Sequence, residues 1–110
     1  MSRDPALYIS DIIEACERIM EYMSGVNSLE DFKRDRRTYD AVLRNIQIIG
    51  EATKRLSADL RRDFAAIPWP EIAGMRDKIV HDYFGIDPEA VWDTARHDVP
   101  ELHRILTETR

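Results

Sequence analysis

Apolar residues recur at intervals of three and four along most of the chain, the spacing of helices that bury one face. The pattern predicts almost no other structure. It predicts four long helices joined by short breaks, and the predicted helices cover residues 5–24, 36–56, 70–84 and 88–106.

Capping residues and prolines set the predicted helix ends. Asp4-Pro5 and Asp87-Pro88 each pair an N-cap residue with a proline in the first helical turn. Ser28 and Ser57 follow breaks and predict short extra helical turns. The segment 67–70, Ile-Pro-Trp-Pro, ends the second of these turns, because a residue before proline avoids the helical region.

The apolar seam of the second long helix indicates how the helices pack. Its members alternate in spacing between four and three, as in a helix packed nearly antiparallel in a bundle. They are Val42, Ile46, Ile49, Thr53 and Leu56. Stripes of the same kind continue into the last helix, where Pro100 predicts a bend. We therefore expect a single all-α domain over residues 1–110, an up-and-down four-helix bundle with short extra turns.

Composition narrows the class of protein further. The chain is 44% hydrophobic and 34% charged, with 4 Gly and 5 Pro, which is typical of a soluble helical domain. Its one cysteine, Cys16, excludes an internal disulfide. Residues 6–23 contain five charged side chains, too many for a signal peptide or a membrane span, so we expect a cytoplasmic protein without a membrane contact.

The charge distribution argues against tight, nonspecific binding to a polyanion. The net charge is −5 at pH 7, whereas that binding mode needs uncompensated cations on one surface. Two basic clusters could each track phosphates, but interleaved acidic residues favour solvated helix faces. The clusters are Lys33, Arg34, Arg36 and Arg37, and Lys54, Arg55, Arg61 and Arg62.

We expect neither a metal nor a cofactor. His97 and His103 are six residues apart and do not share a helical face at four-residue spacing, and the chain has no cysteine pair. The large aromatic and methionine side chains of the stripes are interpreted as core or rim residues. These are Tyr8, Met20, Met23, Trp69 and Trp92.

The residues best suited to phosphate chemistry lie near the end of the third predicted helix. Arg76 and His81 are five residues apart, so their side chains diverge by roughly 140° around that helix. Asp77 and His81 share a face at four-residue spacing, where a carboxylate can orient an imidazole. A simple way to gather both cations on one phosphate is to bring together two copies of the helix in a symmetric dimer. The alternative is a solvated Arg-Asp pair, a histidine at a helix C-terminus and a surface tyrosine, Tyr83.

The order Arg76, four residues, His81, one residue, Tyr83 resembles the Arg-x4-His-x-Tyr signature of the HepT-like branch of the HEPN superfamily. The segment 44–52, which contains Gly-Glu-Ala, looks like the family's long helix, and the resemblance extends over nearly the whole chain. It implies a HEPN-like bundle and a metal-independent ribonuclease toxin whose catalytic residues are Arg76 and His81. Asp77 stands where the family often carries a small polar residue after the arginine, and we assign it the orienting role that its spacing from His81 suggests. Glu51 would face the motif helix and help to hold Arg76, although an exposed pair with Arg55 is the simpler interpretation.

The resemblance also implies partners. HepT-like toxins are typically neutralised by a minimal nucleotidyltransferase antitoxin, MntA, which uses ATP and Mg²⁺ to transfer AMP to the motif tyrosine, here Tyr83. The substrate would be RNA. The angular separation of Arg76 and His81 on one helix predicts, in addition, a homodimer. An alternative keeps the fold without catalysis: a HEPN module that binds a nucleotide or docks the nucleotidyltransferase.

Overall fold

The computed structural model describes residues 4–81 and 85–109, without the side chains of residues 76, 78–81 and 109. The described chain is helical and contains no strand, which confirms the all-α fold. The helices are α1 Pro5–Met23, α2 Leu29–Arg34, α3 Arg36–Lys54, α4 Ala58–Asp63, α5 Trp69–His81, α6 Pro88–Asp93 and α7 Val99–Thr109, with a π-helical turn at Thr94–Asp98.

Side-chain caps begin several helices where the sequence predicts them. The carboxylate of Asp4 accepts a hydrogen bond from the backbone N–H of Ala6 at 3.0 Å, and that of Asp87 accepts one from Glu89 at 3.0 Å. Ser28 and Ser57 cap α2 and α4, so the two predicted short turns are complete short helices.

The junction between α2 and α3 depends on a cap that the sequence analysis missed. Asp35 accepts hydrogen bonds from the backbone N–H and the hydroxyl of Thr38, at 3.1 and 2.7 Å. These hydrogen bonds, the one from the hydroxyl foremost, lower the pKa of the Asp35 carboxyl below its ordinary value. The carboxylate therefore stays ionised and starts α3 within one residue of the end of α2.

The predicted bend at Pro100 corresponds to a π-helical turn just before it. The backbone N–H of Val99 donates to the carbonyl of Thr94, five residues earlier. Pro100 has no N–H to donate and its ring crowds the carbonyl four residues earlier, so a wider turn relieves the contact without ending the helix.

The core lies where the predicted stripes meet. All five members of the α3 seam are buried, as are Val91, Ala95, Val99, Leu102 and Leu106 of the last helical segment. Trp69 and Trp92 are buried as well, whereas Met20 lies at the rim. Tyr22, in the last turn of α1 and spaced three residues from the buried Ile19, is 36% exposed.

The long helices pack in the order α5, α3, α1, α7. Each neighbour in this series makes an extensive contact, whereas the described parts of α5 and α7 make few direct contacts with each other. The bundle is therefore open on one side, along α5. Among the described helices, none is long and apolar enough to span a membrane.

Candidate functional site

A corner between α3 and α4 fixes the start of α5, the helix that carries the candidate motif. The guanidinium of Arg61 in α4 donates to the carbonyl of Thr53 in α3 at 2.9 Å. The indole N–H of Trp69, the first residue of α5, donates to the carbonyl of Arg61 at 3.0 Å. Three consecutive helices are thereby joined at one point, with Trp69 buried beneath it.

The structure places Arg76, Asp77 and His81 in α5, which is described as far as His81. The backbone separation of Arg76 and His81 within one regular helix is therefore as expected, roughly 140° around the axis. The side chains of both residues lie outside the described part of the structure, and so does Tyr83. Their catalytic and modification roles stay predictions.

Asp77 is a predicted site residue of α5 whose side-chain contact is described. Its carboxylate forms an ion pair with the ammonium of Lys54, in the last turn of α3. Both side chains are about half exposed, 46% for Asp77 and 40% for Lys54. The pair joins α3 to α5 one residue from Arg76, and a carboxylate has a second oxygen that can serve another donor.

Lys54 is a site residue that the sequence analysis did not single out. The sequence places Lys54 in a basic cluster whose interleaved acidic residues indicate a solvated face, and Lys54 and Asp77 are 23 residues apart in the chain. A pairing over that distance leaves no periodic signal in a single sequence. Only the packing of α5 on α3 brings the two side chains together.

Glu51 lies one turn before Lys54, in α3. Its carboxylate accepts a hydrogen bond from the side-chain amide of Gln47 at 3.3 Å. Glu51 also lines a small surface hollow of about 150 Å³ with Tyr8, Asp11 and Arg55, between α1 and α3. The described contacts thus place Glu51 beside α1, and its predicted support of Arg76 stays a prediction.

The other histidines have different surroundings. His97 is exposed on the π-helical turn. His103 in α7 lies 3.0 Å from the carboxylate of Glu17 in α1, and its side chain is 22% exposed. This contact between α1 and α7 gives His103 a structural role away from α5. Within the described residues, no group of histidine, cysteine and carboxylate side chains is arranged to hold a metal.

Comparison with known proteins identifies the family of the chain. The family model described as "Ribonuclease HepT-like" matches residues 12–109. The chain belongs to the HepT-like ribonuclease family. The match extends from α1 to the end of α7 and so includes the whole motif helix.

Curated relatives resemble the chain over nearly their full lengths. One, named "Probable ribonuclease HepT" in Thermococcus cleftensis, is 44% identical over 102 residues, which cover 93% of this chain and 92% of the relative. Another, named as a predicted RNase in Caldanaerobacter subterraneus subsp. tengcongensis, is 40% identical over 106 residues, 96% of this chain and 94% of the relative. A third, also named as a predicted RNase, in Methanocaldococcus jannaschii, is 37% identical and covers 93% of this chain and 84% of the relative. No solved structure matches significantly.

Family membership supports ribonuclease activity at the level of the family, and with it an RNA substrate.

Proposed function

We propose that this HepT-like protein is a metal-independent endoribonuclease and the toxin of a toxin–antitoxin pair. The observation that carries the proposal is the family match over residues 12–109, which includes an Arg-x4-His pair within one helix, α5. The relatives' names extend no further than ribonuclease activity.

In the proposed reaction Arg76 and His81 have separate tasks. The neutral imidazole of His81 accepts the proton of a ribose 2′-hydroxyl, and the 2′-oxygen attacks the adjacent phosphorus. The bond from phosphorus to the 5′-oxygen breaks, and that oxygen leaves with a proton from solvent. The guanidinium of Arg76 donates to the non-bridging oxygens as negative charge grows on them. The products are a 2′,3′-cyclic phosphate and a 5′-hydroxyl end.

Asp77 and Glu51 support this pair in the proposal. Asp77 is four residues before His81 on α5, the spacing at which its carboxylate can accept a hydrogen bond from the imidazole. Its ion pair with Lys54 holds the carboxylate close to α3. Glu51 lies on α3, the helix that packs on α5, and contributes to holding Arg76.

The active form in the proposal is a homodimer. Arg76 and His81 diverge around α5, so a second copy of the helix brings an arginine of one protomer towards the histidine of its partner. The two motif helices would then line one cleft. Equilibrium sedimentation should give a dimer. A monomer that cleaves RNA at full rate would require each chain to hold its own site.

Tyr83 is the proposed site of control by an MntA-type nucleotidyltransferase. The phenolic oxygen attacks the α-phosphorus of ATP, the bond to the β-phosphate breaks, and pyrophosphate leaves while the antitoxin's base takes the phenolic proton. The added AMP places bulk and negative charge two residues from His81, where it excludes RNA.

The decisive experiment measures RNA cleavage in EDTA by His81→Ala and Arg76→Ala, with His97→Ala as the matched control on an exposed histidine. We expect the first two variants to lose activity by roughly two orders of magnitude or more while His97→Ala keeps it. Circular dichroism verifies that each variant is folded. Equal activity in all three would overturn the assignment.

A second experiment tests the control step. Tyr83→Phe should keep cleavage but resist the antitoxin, and mass spectrometry should find AMP on Tyr83 of the parent protein. Loss of cleavage by a folded Tyr83→Phe dimer would make the tyrosine catalytic. AMP on another residue would end its regulatory role.

The acidic surface favours one alternative, a HEPN module that binds a nucleotide or docks a nucleotidyltransferase without catalysis. A net charge of −5 is unfavourable for binding a polyanion. The alternative predicts that the purified parent protein cleaves no RNA at any concentration, yet still binds the nucleotidyltransferase.

A further inference from the structure

The open side of the bundle forms a groove between α5 and α7. It encloses about 510 Å³, and the loop before α5 closes one end. Its floor is apolar and includes Ile67, Pro68, Ile72, Met75, Leu102 and Ile105. Leu102 and Ile72 also belong to the core, so the groove is continuous with the interior.

Carboxylates form the rim of this groove. They are Glu71 on α5, Asp98 on the π-helical turn and Glu101 on α7. Glu101 pairs with Arg104, and that hydrogen bond lowers the pKa of the Glu101 carboxyl, which therefore stays ionised. Glu71 and Asp98 have no ion pair with another described residue, and no described lysine or arginine lines the groove. The rim is thus negatively charged.

The π-helical turn shapes one wall. It places Thr94 and Asp98, four residues apart, on the same groove. Thr94 and Met75 also line a cavity of about 190 Å³ that extends the groove towards Ile46 of α3.

The acidic rim is unfavourable for two possible occupants. RNA phosphates would face Glu71 and Asp98 without a described cation between them. A second copy docked groove to groove about a twofold axis would bring two sets of rim carboxylates into one interface, without a described cation from either groove. Inserting another part of a second copy would be a head-to-tail contact, which continues as a ring or a filament. A different chain with positive charge suits both the floor and the rim.

We propose that the groove between α5 and α7 is a docking site for a cationic amphipathic helix of a partner protein. The apolar face of that helix, with anchors at i, i+3, i+4 and i+7, contacts the floor, and its lysines or arginines face Glu71 and Asp98. The occupant touches Met75, next to Arg76, so that docking reaches the motif helix directly. The proposal stands apart from catalysis, since neither rim nor floor includes a catalytic residue.

The test uses two labelled synthetic helices of about five turns, which carry the same leucine stripe. One has lysines beside the stripe and the other has glutamates. Fluorescence anisotropy at about 150 mM salt, where long-range attraction is screened, measures binding to the full chain. We expect the lysine peptide to bind at least about tenfold more tightly than the glutamate peptide.

Charge-matched variants locate the binding site. Glu71→Lys with Asp98→Lys should weaken the lysine peptide about tenfold or more. Glu89→Lys with Asp93→Lys changes the net charge equally on exposed residues of α6 outside the groove and should leave binding nearly unchanged. Ile105→Glu, at the edge of the floor, should also weaken binding while circular dichroism stays that of the parent.

Three outcomes would overturn the proposal. The first is equal binding of the two peptides, or equal loss in the two charge-reversed variants. The second is a change in oligomeric mass on Ile105→Glu, which would make the groove a surface between copies of this chain. The third is displacement of the peptide by an RNA oligonucleotide that binds the parent and the Glu71→Lys, Asp98→Lys variant equally well. Peptide and RNA would then share a site outside the groove.

Discussion

Gly74 is the one described residue of the motif helix that lacks a Cβ, and it has room for one. A Cβ built there meets no atom within 4 Å, and its backbone has no positive φ. A glycine inside a helix costs roughly 0.8–1.0 kcal/mol relative to alanine, because its unfolded backbone has more freedom to lose.

Gly74→Ala should therefore stabilise the protein by about 1 kcal/mol and raise the melting temperature by roughly 4–8 °C. Gly25→Ala is the matched control, since Gly25 also has open space but lies outside the helices. Thermal unfolding compares the two. A lower melting temperature for Gly74→Ala would mean that the glycine is needed for a contact of α5 beyond the described residues.

The buried thiol of Cys16 should make the protein less stable in alkali. Burial, and to a smaller extent the negative charge of Glu17, raises the pKa of its thiol to about 12. The unfolded chain releases this proton near the ordinary value of 9.0, so it binds fewer protons than the folded chain between these values. Stability is complete below pH 9 and falls as pH rises towards 12.

The free energy of unfolding should therefore fall by up to about 1.4 kcal/mol for each pH unit in that range. Urea titrations at several alkaline pH values measure the slope, and Cys16→Ala, although less stable overall, should have a smaller one. An Ellman-type thiol reagent at neutral pH should react only after unfolding. Rapid reaction of the native protein would contradict the burial of the thiol.

At the scale of single residues the sequence predicts burial well where a position lies inside a long stripe. Val42 and Ile49 are completely buried, and the adjacent members of their apolar stripe, one helical turn away, are buried as well. Tyr22 follows the same spacing in the last turn of α1 and is nevertheless 36% exposed. Periodicity reports a face, but only packing decides how far along the helix that face is covered.

Among the elements, α3 and α5 are joined by the ion pair of Lys54 with Asp77. Exposed pairs contribute at most about 1 kcal/mol, so we expect Lys54→Met and Asp77→Asn each to change stability by less than that. If Asp77 orients His81 as proposed, both variants should lower the rate of RNA cleavage. The decrease should be far smaller than that on removing a general base, which lowers a rate roughly 10²–10⁴-fold.

A double-mutant cycle measures the coupling of the two residues. The double variant should be no less active than Asp77→Asn alone, because Lys54 acts through Asp77. Lys33→Met, whose ion pair with Glu30 lies within α2, serves as the control and should leave cleavage unchanged. Additive losses of Lys54→Met and Asp77→Asn would instead mean that Lys54 contacts RNA itself.

Element ends were predicted from local chemistry, and contacts between elements were not. Asp4, Ser28, Ser57 and Asp87 cap helices because their side chains need only a backbone N–H two or three residues away. The pairs Lys54–Asp77 and Arg61–Thr53 depend on how α4 turns the chain. A single sequence contains no pattern for that turn.

At the scale of the whole molecule, the apolar stripes and the helix breaks in the sequence predict the all-α bundle. They do not predict its open side. The sequence predicts that each helix buries one face, and it does not say which helices fail to meet. The motif predicts that the candidate site residues Arg76, Asp77 and His81 lie on one helix, which is α5. The groove beside it, with Glu71 and Asp98 on its rim, became visible only from the packing order.

The attachment of α5 along one flank has a consequence for amide hydrogen exchange. Helices α1 and α3 each contact at least two other helices extensively, whereas α5, within the part of the chain that the structure describes, has its extensive contact with α3 alone. A helix held on one side can detach in an opening that costs less free energy than global unfolding. In exchange monitored by mass spectrometry, peptides from α5 should therefore exchange faster than those from α1, with a weaker dependence on urea.

Equal protection of α1 and α5 would show that the two helices open together as one cooperative unit. If α5 opens alone, anything that fills the groove beside Met75 must slow its exchange selectively. Binding in the groove would then raise the fraction of molecules in which the motif helix is packed on α3. The fraction of molecules able to cleave RNA would thus be set at a site away from the catalytic residues.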